Sequence, residues 1–132
     1  IKTEGNDIDT AIVSIELENG ALAVITNSRR ASYGYDQRAE VHGELGALSC
    51  YNDTSNTLVI SSKDGIIHEK PLYFFLERYL NAYKMEIEIF VDSIINNKET
   101  PVTIEEAYQS LLLAKAAQKS LIENRKVYIN EL

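Results

Sequence analysis

The first half of the chain alternates apolar and polar side chains with a period of two. From Thr10 to Leu17 the apolar residues occupy the odd positions, and polar residues stand between most of them. This alternation predicts a strand with one buried face. The pair Asn19-Gly20 then favours a hairpin turn, because both residues tolerate positive φ. The first half is therefore predicted to form an antiparallel meander of five or six strands, the later ones at Ala21–Thr26, Ala39–Leu45, Ala47–Tyr51, Thr57–Ser62 and Ile66–Glu69.

The second half repeats apolar residues every three or four positions, which is the period of an amphipathic helix. One helix is predicted from Leu76 to Ile95, and Asn96-Asn97 is predicted to end it. A second helix is predicted to begin at the capping box Thr103-Ile-Glu-Glu106 and to place residues as far as Leu121 in the core. Lys126–Ile129 is predicted to add a short terminal strand.

Strands followed by helices predict an α+β fold. We expect a mainly antiparallel, open-faced sheet with two long helices packed on one face, all within a single domain spanning residues 1–132. The other sheet face must then be solvated or pack against a second copy. The polar segment Ile1–Asp7 is expected to be a loose end or a linker. No Gly-x-Gly-x-x-Gly motif occurs, so we expect no Rossmann domain in this chain.

Composition and charge restrict the partners that can be expected. The formal net charge of −7 makes nucleic acid a poor partner, because an acidic surface repels phosphates. No apolar run approaches the roughly 18 residues of a membrane helix. A single cysteine, Cys50, excludes an internal disulfide and favours a cytoplasmic location. Its apolar neighbours predict that Cys50 is a small core residue.

The connection between the second and third predicted strands, Asn27–Arg38, is the strongest candidate for a binding site. It contains three arginines, two tyrosines, an aspartate and a glutamine around Gly34. It is longer than a hairpin turn requires and carries groups that are costly to bury without partners. Two interpretations stay open, a solvated loop or a polar rim over a site. Arginine and tyrosine donors suit a polyhydroxylated or anionic ligand.

Three segments of the sequence resemble one family. They are Asn-Ser-Arg-Arg-Ala-Ser-Tyr-Gly-Tyr-Asp-Gln-Arg-Ala-Glu-Val-His-Gly at Asn27–Gly43, the run Pro71–Tyr83, and Pro101-Val-Thr at the start of the last helix. Together they resemble the C-terminal domain of inositol 2-dehydrogenases, members of the glucose–fructose oxidoreductase family. The resemblance covers most of residues 8–129 and includes nothing of the family's nucleotide-binding domain.

The resemblance implies an NAD-dependent enzyme that oxidises one ring hydroxyl of myo-inositol or a related polyol. A lysine and a histidine of the family handle the proton. Glu69-Lys70-Pro71 is a literal match to the family's Glu-Lys-Pro motif, but it precedes the long helix of the C-terminal domain, so we interpret it as a coincidence. The family's aspartate–histidine pair, four residues apart on a helix, has no match on a predicted helix here. We therefore expect no catalytic residue in this chain and no activity from the chain alone. The resemblance also implies that the domain lines part of the substrate pocket and forms a homo-oligomer, a dimer or tetramer, through its open sheet face.

The same resemblance suggests which side chains line the pocket. A tyrosine of the central segment faces the polyol, and Tyr33 is preferred over Tyr35. Arg29 and Asp36 are further candidates, although they could equally form a structural pair with each other. Tyr79 is a candidate for the cofactor cleft, whereas its position on the apolar helix face equally predicts a core residue with a polar tip. Two isolated histidines give no metal-ligand spacing, so no metal is expected.

Two alternatives remain open at this point. One is a dehydrogenase that acts on another sugar, because the acid–base residues and most cofactor contacts lie outside this chain. The other is a non-catalytic module for oligomerisation or ligand binding. A nucleotide-binding domain encoded directly before Ile1 would favour an enzyme, whereas a start codon there would favour the module.

Overall fold

The fold was analysed in a computed structural model that describes residue 5 and residues 7–132. Six strands come first, followed by two long helices and a terminal 3₁₀ turn. The strands are β1 (Thr10–Glu16), β2 (Leu22–Ser28), β3 (Ala39–Gly43), β4 (Gly46–Cys50), β5 (Val59–Ser62) and β6 (Gly65–His68). The helices are α1 (Phe75–Ile95) and α2 (Ile104–Glu123), and the 3₁₀ turn covers Ile129–Glu131. Most of the predicted linker Ile1–Asp7 lies outside the described residues.

Each strand pairs antiparallel with its neighbour in sequence. β1 pairs with β2, β3 with β4 and β5 with β6, so the described residues form three separate two-stranded sheets instead of one continuous meander. The β3–β4 register runs from Ala39 opposite Cys50 to Gly43 opposite Gly46. Short local turns explain this pairing, because each strand meets its nearest neighbour at little cost in loop closure. The predicted α+β class with antiparallel strands and two long helices is confirmed.

The ends of the helices follow the predicted signals. Thr103 Oγ1 accepts a hydrogen bond from the backbone N–H of Glu106, and the Glu106 carboxylate accepts one from the N–H of Thr103. This reciprocal capping box satisfies two amides that the first helical turn leaves free. α1 ends just before Asn97, which has a left-handed φ of 48°. The predicted end of α1 and the predicted start of α2 are therefore confirmed.

The predicted terminal strand at Lys126–Ile129 is wrong, since the chain forms a 3₁₀ turn there instead. The backbone N–H of Glu131 donates to the carbonyl of Tyr128 at 3.0 Å. The Glu131 carboxylate in turn accepts the N–H of Tyr128 at 2.8 Å. These two short-range hydrogen bonds close the chain on itself and leave no free edge for strand pairing.

The chain divides into two units, which are described separately. One contains the residues up to Ile12 together with Thr26–Glu86, and the other contains Val13–Ile25 and Ile87–Leu132. Apolar side chains on the predicted core face of α1 remain exposed, with Leu80 and Ile94 showing 68% and 65% of their surface. The prediction that this face forms a core within the chain is therefore wrong for these two residues.

Cys50 is also exposed, against the prediction of a core position. It lies at the end of β4, opposite Ala39. A two-stranded sheet covers neither of its own faces, so apolar sequence neighbours alone do not bury a strand residue. Among the described residues, no helix is both long and apolar enough to cross a membrane.

Candidate functional site

The loop between β2 and β3 is held in place at Gly34. This residue is buried and has a φ of +144°. A Cβ atom at this position would lie 2.7 Å from the carbonyl oxygen of Pro71, so only glycine fits. The next residue, Tyr35, donates its backbone N–H to the carbonyl of Leu72 at 2.8 Å. The loop is therefore fixed against the segment that leads into α1.

The turn after β4 adds a second set of contacts to this region. Asn52 Oδ1 accepts the backbone N–H of Gln37 at 2.7 Å. Asp53 accepts the N–H of Leu72 through its carbonyl at 3.0 Å, and its carboxylate accepts Arg78 Nη1 at 2.8 Å. Three segments that are distant in sequence, namely the loop, the turn and the first turn of α1, are thus joined within one unit.

The most densely bonded group in this region is the Asp36 cluster, formed by Tyr33, Asp36, Arg38 and Asn52. Asp36 Oδ1 accepts Arg38 Nε at 2.8 Å and Asn52 Nδ2 at 2.6 Å. Oδ2 accepts Arg38 Nη2 at 2.9 Å and the Tyr33 hydroxyl. Hydrogen bonds from Arg38, Tyr33 and Asn52 to the charged form hold the pKa of Asp36 well below its ordinary value. The carboxylate is therefore permanently ionised at neutral pH.

The two tyrosines that flank Gly34 have different environments. Tyr33 is 49% exposed and donates its hydroxyl to Asp36, and this hydrogen bond raises the pKa of Tyr33. Tyr35 is half-buried and packs edge-on against Tyr79, with 5.7 Å between ring centroids. Of the two, Tyr33 is the side chain with more surface available to a ligand. This arrangement agrees with the preference for Tyr33 as the ligand-facing residue, and that role remains a prediction.

Arg29 lies in a different ion pair from the one considered for it. Its guanidinium contacts the carboxylate of Asp7 at 2.5 Å, and its backbone N–H donates to the carbonyl of Asp9 at 3.0 Å. Asp36 pairs with Arg38 instead, so the suggested Arg29–Asp36 pair is wrong. The structural reason is that Arg29 directly follows β2 and stays beside the residues that precede β1.

Sequence reasoning missed two members of the Asp36 cluster. Arg38 stands two residues after Asp36, and in an extended segment such residues share one side. That spacing was a signal that could have identified Arg38. Asn52 is 16 residues away from Asp36 and lies in an ordinary turn sequence, so no local signal marks it.

Tyr79 packs among other aromatic side chains, and its assignment to the cofactor cleft remains a prediction. Its ring contacts the edges of Tyr35 and Tyr83, and the Arg78 guanidinium lies 5.5 Å from its centroid. Burial, together with the hydrogen bond with Tyr35, raises the pKa of its hydroxyl. The sequence also lacks the glycine-rich loop that holds a pyrophosphate. The residues of this chain do not fit a dinucleotide site by themselves.

Titratable side chains elsewhere in the described residues form no group of three or more that could hold a metal ion. His42 is engaged by Glu40, with 2.5 Å between Nε2 and Oε1, on the exposed β3–β4 hairpin. Ser49 donates to the same carboxylate at 3.3 Å. In this arrangement the carboxylate stands between the hydroxyl and the imidazole, so the imidazole does not reach the hydroxyl as a general base would.

Comparison with known proteins identifies relatives along almost the whole chain. A family model described as the oxidoreductase family, C-terminal alpha/beta domain, matches residues 2–129. A myo-inositol 2-dehydrogenase of Thermotoga maritima is 42% identical over 98% of this chain and 39% of its own length. The similarity in sequence is thus not confined to the central loop.

Solved structures agree with this result. A myo-inositol dehydrogenase from Corynebacterium glutamicum superposes with a TM-score of 0.86 at 37% identity, covering 94% of this chain and 38% of that one. A scyllo-inositol dehydrogenase from Lactobacillus casei, solved with NAD(H) and scyllo-inositol, also gives 0.86, at 28% identity over 94% of this chain and 36% of that one. The chain spans only 35–39% of the length of curated relatives that it matches.

Proposed function

This chain belongs to the oxidoreductase family whose C-terminal α/β domain it matches, and we propose that the complete protein is an NAD-dependent inositol 2-dehydrogenase. The chain is the C-terminal domain of an inositol dehydrogenase-type member of this family. In the proposed reaction a ring CH–OH becomes a ketone. The hydride passes to NAD, and the hydroxyl proton passes to a base that lies outside this chain. The substrate class is a cyclic polyol, myo-inositol or a close relative.

One observation carries the proposal: the 42% identity to a myo-inositol 2-dehydrogenase extends over nearly the whole chain. The geometry of the loop supports it. A polyol without charge is recognised by directed hydrogen bonds, and Tyr33 and Arg38 present such groups on an exposed surface. We propose that this surface is one wall of the polyol pocket and that another part of the longer enzyme supplies the cofactor site.

Steady-state kinetics with the complete enzyme test the proposal. NAD reduction should be fastest with myo-inositol or scyllo-inositol. It should be slower with either glucose or a sugar acid. NADP should be the weaker acceptor. Preferential turnover of glucose or of a sugar acid would instead support the alternative of a different sugar dehydrogenase. Absence of turnover with every substrate would support a non-catalytic module.

The isolated chain is expected to be inactive, because it lacks a dinucleotide-binding loop and an acid–base pair. The measurement is NAD reduction by purified residues 1–132 with myo-inositol, against a buffer blank. Activity above the blank would overturn this expectation.

The reading frame before Ile1 should encode a nucleotide-binding domain, and a cytoplasmic location is proposed for the whole protein.

We also propose that the domain self-associates through the β1–β2 hairpin. Both faces of β2 carry exposed apolar side chains, such as Val24 and Ile25 at 65% and 43% exposure. Exposed apolar patches of more than a few hundred Å² are unusual in soluble monomers. A second copy meeting the same face would cover them by two-fold symmetry.

Light scattering at micromolar concentration tests the association, and Ile25→Glu should shift an oligomer toward monomer. Lys63→Glu, on the β5–β6 turn, is the matched control and should leave the mass unchanged. A monomer of 14.9 kDa across the whole concentration range for the isolated chain would contradict the proposal.

A further inference from the structure

The carboxylate of Asp36 has no free acceptor position. An ionised carboxylate offers about four lone pairs. Arg38 occupies two of them, and Asn52 and Tyr33 occupy the other two. The side chain is only 14% exposed, whereas the Arg38 side chain is 62% exposed. Asp36 therefore faces its own donors and has little left to offer a ligand.

The donors around Asp36 fall into an inner and an outer group. Asn52 is partly buried and also accepts the backbone N–H of Gln37, so it anchors the carboxylate to the protein. Tyr33 and Arg38 lie on the outer side and are exposed. A carboxylate that served only to stabilise the loop would need no exposed partners. Here the better-anchored carboxylate holds two solvent-facing side chains in one arrangement.

The hydrogen bonds that Tyr33 and Arg38 donate to Asp36 leave other polar atoms of these two side chains for a ligand on the outer side of the cluster. Because the Tyr33 hydroxyl hydrogen is donated to Asp36, its oxygen can only accept from a ligand. Arg38 uses Nε and Nη2 on Asp36, so its Nη1 makes no hydrogen bond to that carboxylate. Arg38 lines an open, mainly polar depression of about 320 Å³ together with Asp36, Ser49 and Tyr51, whereas Tyr33 lies outside its lining. The cluster thus offers one acceptor and one donor at fixed positions.

Resting on the proposed function, we propose that Asp36 is a positioning residue for the polyol site: it does not touch the substrate but fixes Tyr33 as an acceptor and Arg38 as a donor toward neighbouring hydroxyls. A vicinal diol matches this pair, since one hydroxyl can donate to the Tyr33 oxygen while the next accepts from Arg38 Nη1. The substrate class favoured by the cluster is therefore a polyol with adjacent hydroxyls.

The test is Asp36→Asn in the complete enzyme. The amide keeps the shape but loses the charge and one acceptor oxygen, so Tyr33 and Arg38 are no longer both held. The KM for the polyol should rise about tenfold, the size expected when hydrogen bonds to a charged group are lost. The KM for NAD should change little, whereas the thermal midpoint should fall, because the folded state favours the ionised form of Asp36. Asp92→Asn, which removes the charge paired with the exposed Lys98 in the other unit, is the matched control and should leave the KM for the polyol within about twofold.

A double-mutant cycle with Tyr33→Phe separates positioning from a purely structural role. If Asp36 acts through Tyr33, the double variant should be hardly worse than the poorer single variant. Additive losses, an unchanged KM for the polyol, or a parallel loss of NAD affinity would each overturn the positioning role. The variants are assayed on whichever inositol, aldose or sugar acid the wild type oxidises best. A wild type that oxidises none of them overturns both proposals, whereas an active enzyme indifferent to Asp36→Asn overturns this one alone.

Discussion

Two ionic clusters in the chain use the same chemical groups for different purposes. In the Asp36 cluster a carboxylate stands at the centre, and side chains donate to it. In the Arg125 cluster, formed by Glu123, Arg125 and Glu131, an arginine stands at the centre. Its Nε donates to Glu123 at 2.6 Å and its Nη2 to Glu131 at 2.6 Å, while Nη1 donates to the carbonyl of Lys126 at 2.8 Å.

The difference lies in what each cluster holds. The Arg125 cluster is tied to main-chain atoms: besides the Lys126 carbonyl, the Glu131 carboxylate accepts the backbone N–H of Tyr128. It fixes the path of the chain after α2. The Asp36 cluster, in contrast, ends in the exposed side chains of Tyr33 and Arg38. The Arg125 cluster stabilises the path of the chain after α2, whereas the proposed role of the Asp36 cluster is to present chemical groups to a ligand.

Of the substitutions that test the difference between the two clusters, Gly34→Ala should have the largest effect, because it disturbs the loop that carries the Asp36 cluster. The new Cβ would meet the Pro71 carbonyl at 2.7 Å, at a φ that favours glycine. The free energy of unfolding should fall by about 2–3 kcal/mol in a denaturant titration. Polyol turnover should fall with it, because Tyr33 directly precedes the displaced residue and Asp36 follows two residues after it. Gly20→Ala, where a Cβ would meet nothing within 4 Å, should cost only about 1 kcal/mol. Equal costs at both glycines would show that the loop is not held tightly against Pro71.

Tyr33→Phe and Tyr35→Phe should separate the ligand-facing tyrosine from the packed one. Loss of the Tyr33 hydroxyl should cost about 0.5–1.5 kcal/mol, or roughly three- to tenfold in kcat/KM for the polyol, with little effect on NAD binding. Tyr35→Phe should leave kcat/KM nearly unchanged, since this ring packs on Tyr79. A silent Tyr33→Phe together with a damaging Tyr35→Phe would reverse the assignment.

Arg125→Ala should loosen the chain end without affecting turnover. Amide hydrogen exchange after Glu123 should become several-fold faster, because the Lys126 carbonyl and the Glu131 carboxylate lose their donor. The matched control is Lys126→Ala, which removes a side chain paired with Glu16 but no bond to the main chain. If both variants show the same amide exchange rates after Glu123, the main-chain contacts of Arg125 do not protect this segment from exchange.

The smallest expected effect is a pH dependence at Glu131. Hydrogen bonds from Arg125, and then from the Tyr128 N–H, lower the pKa of Glu131 from 4.5 to about 2. Because the folded state favours the ionised form, this contribution to stability is complete above pH 4.5 and is lost as the pH falls toward 2. Glu131→Gln should therefore lower the thermal midpoint at pH 7, and its difference from the wild type should vanish near pH 2. In an Arg125→Ala background, Glu131→Gln should lower the thermal midpoint by less. A difference in thermal midpoint that does not depend on pH would contradict this explanation.

Elements that depend on near neighbours in sequence were predictable. The hairpin turn around Asn19-Gly20 and the capping box at Thr103–Glu106 follow from backbone preferences and from groups three residues apart. Of the turn pair, only Gly20 has a positive φ, at 83°, so the expected positive φ at Asn19 is wrong. The helix boundaries and the α+β class follow from the change of hydrophobic period along the chain. The position of the candidate site was predictable as well, because the unusual concentration of arginine and tyrosine in Asn27–Arg38 is visible without any structure.

Only the tertiary structure decided how the candidate site is built. Asn52 joins Asp36 from 16 residues away, and the contact of Gly34 with Pro71 spans a still longer segment. The same is true of Arg29, whose partner is Asp7 and not the nearer Asp36. The physical reason is that one carboxylate accepts equally well from any donor of suitable geometry, so the choice among several nearby arginines depends on which segments the fold brings into contact.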